Sequence, residues 1–174
     1  MHLPMIEPRH HERLVAEWKN DWGGSVRKMQ EHLRLTNIDL LHIIINLSSR
    51  ARTGQWEYGM PTSKDLFKFT CDFALLIVRL FDIATVRPSQ IPSIELKHYD
   101  RLCVEWAQNT RATISSYLAR IRNENPVLGT FITQLAHIVE QTKWKHRVPT
   151  PNDLYMLVTE NSLFLIRLLE IAYN

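Results

Sequence analysis

The chain has 174 residues and a mass of 20.5 kDa, enough for one ordinary domain or for two small units that share a core. With 45% apolar and 22% charged residues, it lies in the composition range of folded proteins and outside that of disordered ones. A net charge of +3 and a pI near 9.0 permit a polyanionic partner without requiring one, and the two cysteines, Cys71 and Cys103, are too few for a disulfide framework.

The opening MHLPMIEPRHH has no apolar core of the kind a leader needs, and no stretch reaches the roughly 18 uninterrupted apolar residues of a membrane span. An intracellular chain, cytoplasmic or nuclear, with no membrane partner is the expectation. The first predicted helix begins near Ile6, just after a proline, and aligns Ile6, His10, Leu14 and Trp18 along one stripe, because residues four apart share a helical face. Gly23-Gly24 interrupts it, and a second helix is predicted from Ser25 to about Leu35. A third runs from about Ile38 to Arg52, opened by Thr36 or Asn37, and a loop containing Trp56 leads to Pro61. Thr62 then supplies a cap for exposed backbone N–H groups, and Asp65, three residues later, is placed to return the bond. The helix that follows carries Leu75, Leu76, Ile77, Val78, Leu80, Phe81 and Ile83, apolar on more than one face, which predicts enclosure by other helices.

Beyond residue 88 the same signals return in the same order. Aligning residues 4–86 with 92–174 needs no gap and gives 23 identities in 83 pairs. IEPRHHERLVAEW (6–18) matches IELKHYDRLCVEW (94–106), PTSKDLF (61–67) matches PTPNDLY (149–155), and ALLIVRLFDIA (74–84) matches SLFLIRLLEIA (162–172). Arg111-Ala112 stands where the glycines were, which predicts that the first two helices of this copy fuse into one long helix reaching about Asn123. A helix from about Val127 to Lys143 follows Pro126; Trp144 lies in the next loop, and Thr150, Pro151 and Asp153 open the last helix. The expected fold is therefore all-α: a compact bundle of about seven or eight helices, built from two fused homologous helical units, 1–88 and 89–174. They pack as one globular domain with pseudo-twofold symmetry and the long apolar helices at its centre.

Two diverged copies in one chain nominate the polar residues that both retain: Glu7/Glu95, His10/His98, Arg13/Arg101, Glu17/Glu105 and Arg79/Arg167. Arg79 and Arg167 interrupt apolar runs, and a guanidinium cannot escape burial by losing its charge. Each is expected to meet a retained acid, Glu17 or Glu105, as an internal ion pair. His10 and His98 share the apolar stripe and read as core histidines. The Glu7-x-x-His10 and Glu95-x-x-His98 spacing recurs in two-metal bundles, but the further pair of glutamates such a site needs is missing, so no metal and no cofactor is expected. The cysteines have no histidine in a nucleophile pattern, and no Gly-rich phosphate loop is present.

These features favour a non-catalytic helical interaction or adaptor module, partnered by another protein or peptide, with Trp22, Trp56, Tyr58 and Trp144 as candidate anchors. Trp22 aligns with Thr110 and so is not required by the shared fold, whereas Trp56 and Trp144 read better as lids on the core. The first alternative is nucleic-acid binding through Arg27, Lys28, Arg34, Arg111, Arg120, Arg122, Lys143, Lys145 and Arg147. The second is an RNase-like enzyme using Arg13 with His10, or Arg101 with His98. A pseudo-dimer of this kind is also compatible with homo-oligomerisation.

Overall fold

A computed structural model describes residues 3–51, 56–85, 91–107, 110–140, 144 and 149–174, and among these the chain forms eight α-helices and no strand. They are α1 (Pro8–Asn20), α2 (Trp22–Thr36), α3 (Ile38–Ala51), α4 (Ser63–Ala84), α5 (Leu96–Ala107), α6 (Thr110–Glu124), α7 (Pro126–Glu140) and α8 (Pro151–Tyr173). The starts of α1 to α4, at 8, 22, 38 and 63, recur in α5 to α8 at 96, 110, 126 and 151, each 88 residues further on. None of these helices is long and apolar enough to cross a membrane.

The two apolar helices form the centre. Phe73, Leu75, Ile77, Val78, Leu80 and Phe81 of α4 are fully buried, as are Leu163 to Ile166, Leu168 and Leu169 of α8. Each such side chain contributes roughly 1.5–3 kcal/mol by leaving water, far more than the propensity of any single helix position. α4 and α8 touch each other; α4 also packs on α1, α2 and α3, and α8 on α5, α6 and α7. Thr62 Oγ1 caps α4 by accepting from Asp65 N at 3.2 Å, and Thr150 Oγ1 caps α8 by accepting from Asp153 N at 3.1 Å. The Asp153 carboxylate is turned outward from its cap to accept the Glu57 N–H at 3.1 Å, tying the loop before α4 to the start of α8.

Two asparagines join the halves reciprocally. Asn37 Nδ2 donates to Pro92 O at 2.9 Å and its Oδ1 accepts from Ile94 N at 3.3 Å. Asn125 Nδ2 donates to Pro4 O at 2.9 Å and its Oδ1 accepts from Ile6 N at 3.1 Å. Ring contacts cross the same boundary: Trp144 lies on Phe69 with centroids 4.0 Å apart, and the Arg50 guanidinium sits 3.9 Å above the Phe164 ring.

Three local expectations need correction. Gly23 and Gly24 do not interrupt a helix but occupy the first turn of α2, and the break falls at Asp21, which caps α2 by accepting from Gly24 N at 2.9 Å. The single long helix expected in the second copy is two elements, α5 ending at Ala107 and α6 starting at Thr110, with residues 108–109 outside the described ones. His10 and His98 are not core residues satisfied by a carbonyl or an acid: their Nδ1 atoms accept the backbone N–H of Glu7 at 3.1 Å and of Glu95 at 3.0 Å, closing the entrances of α1 and α5.

Candidate functional site

Arg79 and Arg167 enter their sites from the middle of α4 and α8. Arg79 makes a two-pronged contact with Glu17, Nε to Oε2 at 3.0 Å and Nη2 to Oε1 at 3.0 Å, and a third bond to Asp82 one turn along its own helix. Arg13 joins from α1, 3.2 Å from Glu17. Burial by itself would raise the Glu17 carboxyl, but the bonds and charges of Arg79 and Arg13 outweigh it and hold the group below its ordinary value.

Arg167 repeats the arrangement and adds to it. It pairs with Glu105 at 2.9 and 3.1 Å and with Glu170 at 2.7 Å. Glu170 also takes two bonds from Arg120, at 2.8 and 2.6 Å, and one from the Tyr117 hydroxyl at 3.2 Å. Tyr117 is buried, and that burial, reinforced by the Glu170 charge, holds its hydroxyl protonated. The cluster borders an open polar groove of about 640 Å³ that also reaches Ser116 and Thr113. Among the described residues two arginines face two glutamates there, so their charges balance.

The expected ion pairs of Arg79 with Glu17 and Arg167 with Glu105 are thus both present, and they fix how α1 meets α4 and α5 meets α8. Arg120, nominated for a nucleic-acid surface, is instead committed to Glu170. Arg27 and Lys28 are exposed on α2, Arg34 is 2.7 Å from Glu31 on the same helix, and Arg101 is exposed on α5. Arg122 lies in α6 with its stem and backbone against Gly129 of α7. Arg111 belongs to α6, though its side chain, like Lys143, Lys145 and Arg147, lies outside the described residues. Glu7 and Glu95 are exposed and bridge Arg9 and Lys97, both at 2.7 Å. Among the described residues no three His, Cys, Asp or Glu side chains converge as metal ligands would. Burial, reinforced by the neighbouring Asp72, pushes the Cys71 thiol up to about 12, which leaves it a packing residue.

Among the candidate anchors, Trp22 is partly exposed, with its Nε1 donating to Asp72 at 3.2 Å and its ring edge-on to Trp18 at 4.8 Å. Trp144 covers Phe69, and the indole nitrogens of Trp56 and Trp144 are both enclosed without a hydrogen-bond partner. Tyr58 is exposed.

Sequence reasoning did not single out an apolar groove on the N-terminal half. A groove of about 300 Å³ lies between α2, which supplies Gln30, Glu31 and Arg34, α3, which supplies Leu41, Ile44 and Ile45, and α4, which supplies Phe67, Cys71 and Leu75. Ile45 is 38% and Phe67 42% exposed, and Ile38 and Leu35 continue the apolar surface to the α2–α3 turn at 43% and 76%. In the C-terminal half the positions of Leu35, Ile38, Leu41 and Ile45 are held by Asn123, Pro126, Gly129 and Thr133. A Cβ on Gly129 would stand 2.8 Å from Arg122 Cγ and 3.1 Å from its Cα, so α6 and α7 approach closely at this position, whereas its N-terminal counterpart Leu41 lines the groove. The available signal was divergence between the aligned halves at these apolar positions, whereas the retained polar residues mark internal pairs. No protein-family model, curated protein or solved structure matches this chain.

Proposed function

We propose that the chain is a non-catalytic protein-interaction module made of two fused homologous helical units related by a pseudo-twofold axis, of which the N-terminal unit carries the docking groove. The duplication reading is supported by the equal spacing of the helix starts, the two Arg–Glu pairs at equivalent positions, and the reciprocal Asn37 and Asn125 bonds, in which each half uses one patch twice as in an isologous interface. The single observation that carries the functional reading is the apolar groove between α2, α3 and α4, lined by Leu41, Ile44, Ile45 and Phe67. Among the retained polar residues, Glu17, Glu105, Arg79 and Arg167 are engaged in ion pairs between helices and His10 and His98 bond the helix entrances, which favours a structural over a catalytic role for them.

Selection of a displayed random-peptide library on the full chain tests this reading, with counter-selection on Ile45→Asp. Peptides that bind the parent and not the variant are expected. Failure to enrich any peptide, or enrichment indifferent to Ile45→Asp while Thr133→Asp abolishes it, removes the groove as the docking surface.

A further inference from the structure

The groove's rim carries information about what fills it. On α4, Phe67, Cys71 and Leu75 line the groove, and Lys64, one turn before Phe67, extends the same face, with Lys68 on its flank. On α2, Arg27 lies one turn before Gln30 and Glu31 on the groove side. Arg27 and Lys64 are exposed and have no ion pair among the described residues, while exposed Lys68 is drawn toward Asp72 and the Phe69 ring; the acid lining the groove, Glu31, is already matched by Arg34. In the C-terminal half the positions of Arg27, Lys64 and Lys68 are held by Ser115, Asn152 and Met156. The apolar stripe and the basic rim therefore occur together in one half and are absent together from the other.

We infer, building on the docking reading above, that the occupant is an amphipathic helix of a protein partner bearing acidic residues on the flanks of its apolar stripe. Ile38, Leu41 and Ile45 run along α3 at i, i+3 and i+7, about 10 Å of surface, with Phe67 across from them. That spacing matches the anchors of a second helix laid against it. A strand is disfavoured because the walls are helices, whose backbone groups are already bonded internally. Nucleic acid is disfavoured because the cations border an apolar floor, whereas a phosphate backbone needs polar contacts along its track.

Fluorescence anisotropy with three synthetic peptides tests the inference on the full chain. All have the same leucine stripe at i, i+3, i+4 and i+7, with flanks of Glu, of Lys, or of Gln. The Glu peptide is expected to bind about tenfold or more tightly than the Lys peptide at low salt, given several exposed pairs of modest individual worth. Arg27→Glu combined with Lys64→Glu changes only exposed side chains, and it should invert the order. Ile45→Asp should abolish binding of all three. Equal binding of the Glu and Lys peptides overturns the acidic partner but leaves the groove in place. Binding by none, or binding insensitive to Ile45→Asp, overturns the docking reading itself. Capture of anionic vesicles through Ile45 and Lys64 without any affinity for the Glu peptide assigns the surface to a membrane and overturns the inference.

Discussion

Glu170 keeps 4% of its surface exposed, and as a carboxylate it is tolerable there only because Arg120, Arg167 and the Tyr117 hydroxyl all donate to it. Burial raises its carboxyl, but the arginine bonds and charges outweigh this and hold it below the ordinary value of 4.5. The unfolded chain therefore binds the proton more tightly than the native one. The resulting stability is present above pH 4.5 and lost as pH falls through the depressed native value, and Glu17 adds to it in the same direction. Glu170→Gln keeps an acceptor but removes the charge two guanidinium groups share. It should lower stability at pH 7 by about 2 kcal/mol, less than the ~3–5 of a fully enclosed pair because Arg120 is 36% exposed and can rehydrate. Urea melts at pH 7 and pH 4 should show the difference between parent and variant shrinking with acid; an unchanged difference would mean that the charge is not what matters. The Arg79 and Arg167 partners were legible in the sequence because an arginine inside an apolar run has few ways to exist. The hub at Glu170 was not, since Tyr117 and Arg120 face Met29 and His32 in the other copy, and a filter for retained residues discards them. His10 and His98 were misread because an apolar stripe suggests burial, while a ring nitrogen reaching back three residues to an N–H is a property of the helix entrance.

At the level of single helices, the two adjacent glycines of α2 separate two physical effects that sequence alone merges. Nothing lies within 4 Å of a Cβ built on Gly23, whereas one on Gly24 would fall 1.9 Å from Asp21 Oδ2, the carboxylate that caps the helix. Gly23→Ala should therefore stabilise by about 0.5–1 kcal/mol through reduced unfolded-state freedom. Gly24→Ala has the same propensity gain but must eject the cap, and it should destabilise by about 1 kcal/mol. Thermal melts of the two variants should move in opposite directions; a rise in both would show that the Asp21 cap carries no weight. The order and type of the helices were readable from the 3.6-residue apolar period and from the Thr62 and Thr150 start signals. The break at Asp21 was not, because a glycine pair marks both helix interruptions and close approaches, and only the position of the capping carboxylate distinguishes them. The α2–α3–α4 groove was hidden for a related reason: which apolar side chains stay open between three helices is set by their packing, and Leu41 and Ile45 lie on a helix whose pattern alone reads as core-facing.

Across the whole molecule, neither half encloses its own core. The buried face of α4 is completed by α8, and the Ile94 N–H and Pro92 carbonyl are satisfied by Asn37 from the other half, as are the Ile6 N–H and Pro4 carbonyl by Asn125. A fragment ending at residue 88 would expose the face of an apolar helix that α8 covers and leave these groups without their partners, a deficit that a chain of that size covers poorly from its remaining core. The same fragment nonetheless holds Asn37, Pro4 and Ile6, the residue types that its missing partner supplies as Asn125, Pro92 and Ile94. If the proposed duplication began as a twofold dimer, residues 1–88 retain the chemistry to pair with themselves. The predicted outcome is that fragment 1–88 is poorly folded when dilute, sediments as a dimer when concentrated, and gives up its own copy for fragment 89–174 when the two are mixed. Preference for the mixed pair follows because the Arg50 guanidinium sits on Phe164, a ring whose counterpart in the N-terminal half is Leu76. Sedimentation velocity with far-ultraviolet dichroism reads both steps. A monomeric fragment 1–88 with a cooperative melt of its own would contradict the shared core, and a mixture no more stable than its parts would contradict the reciprocal asparagine joint.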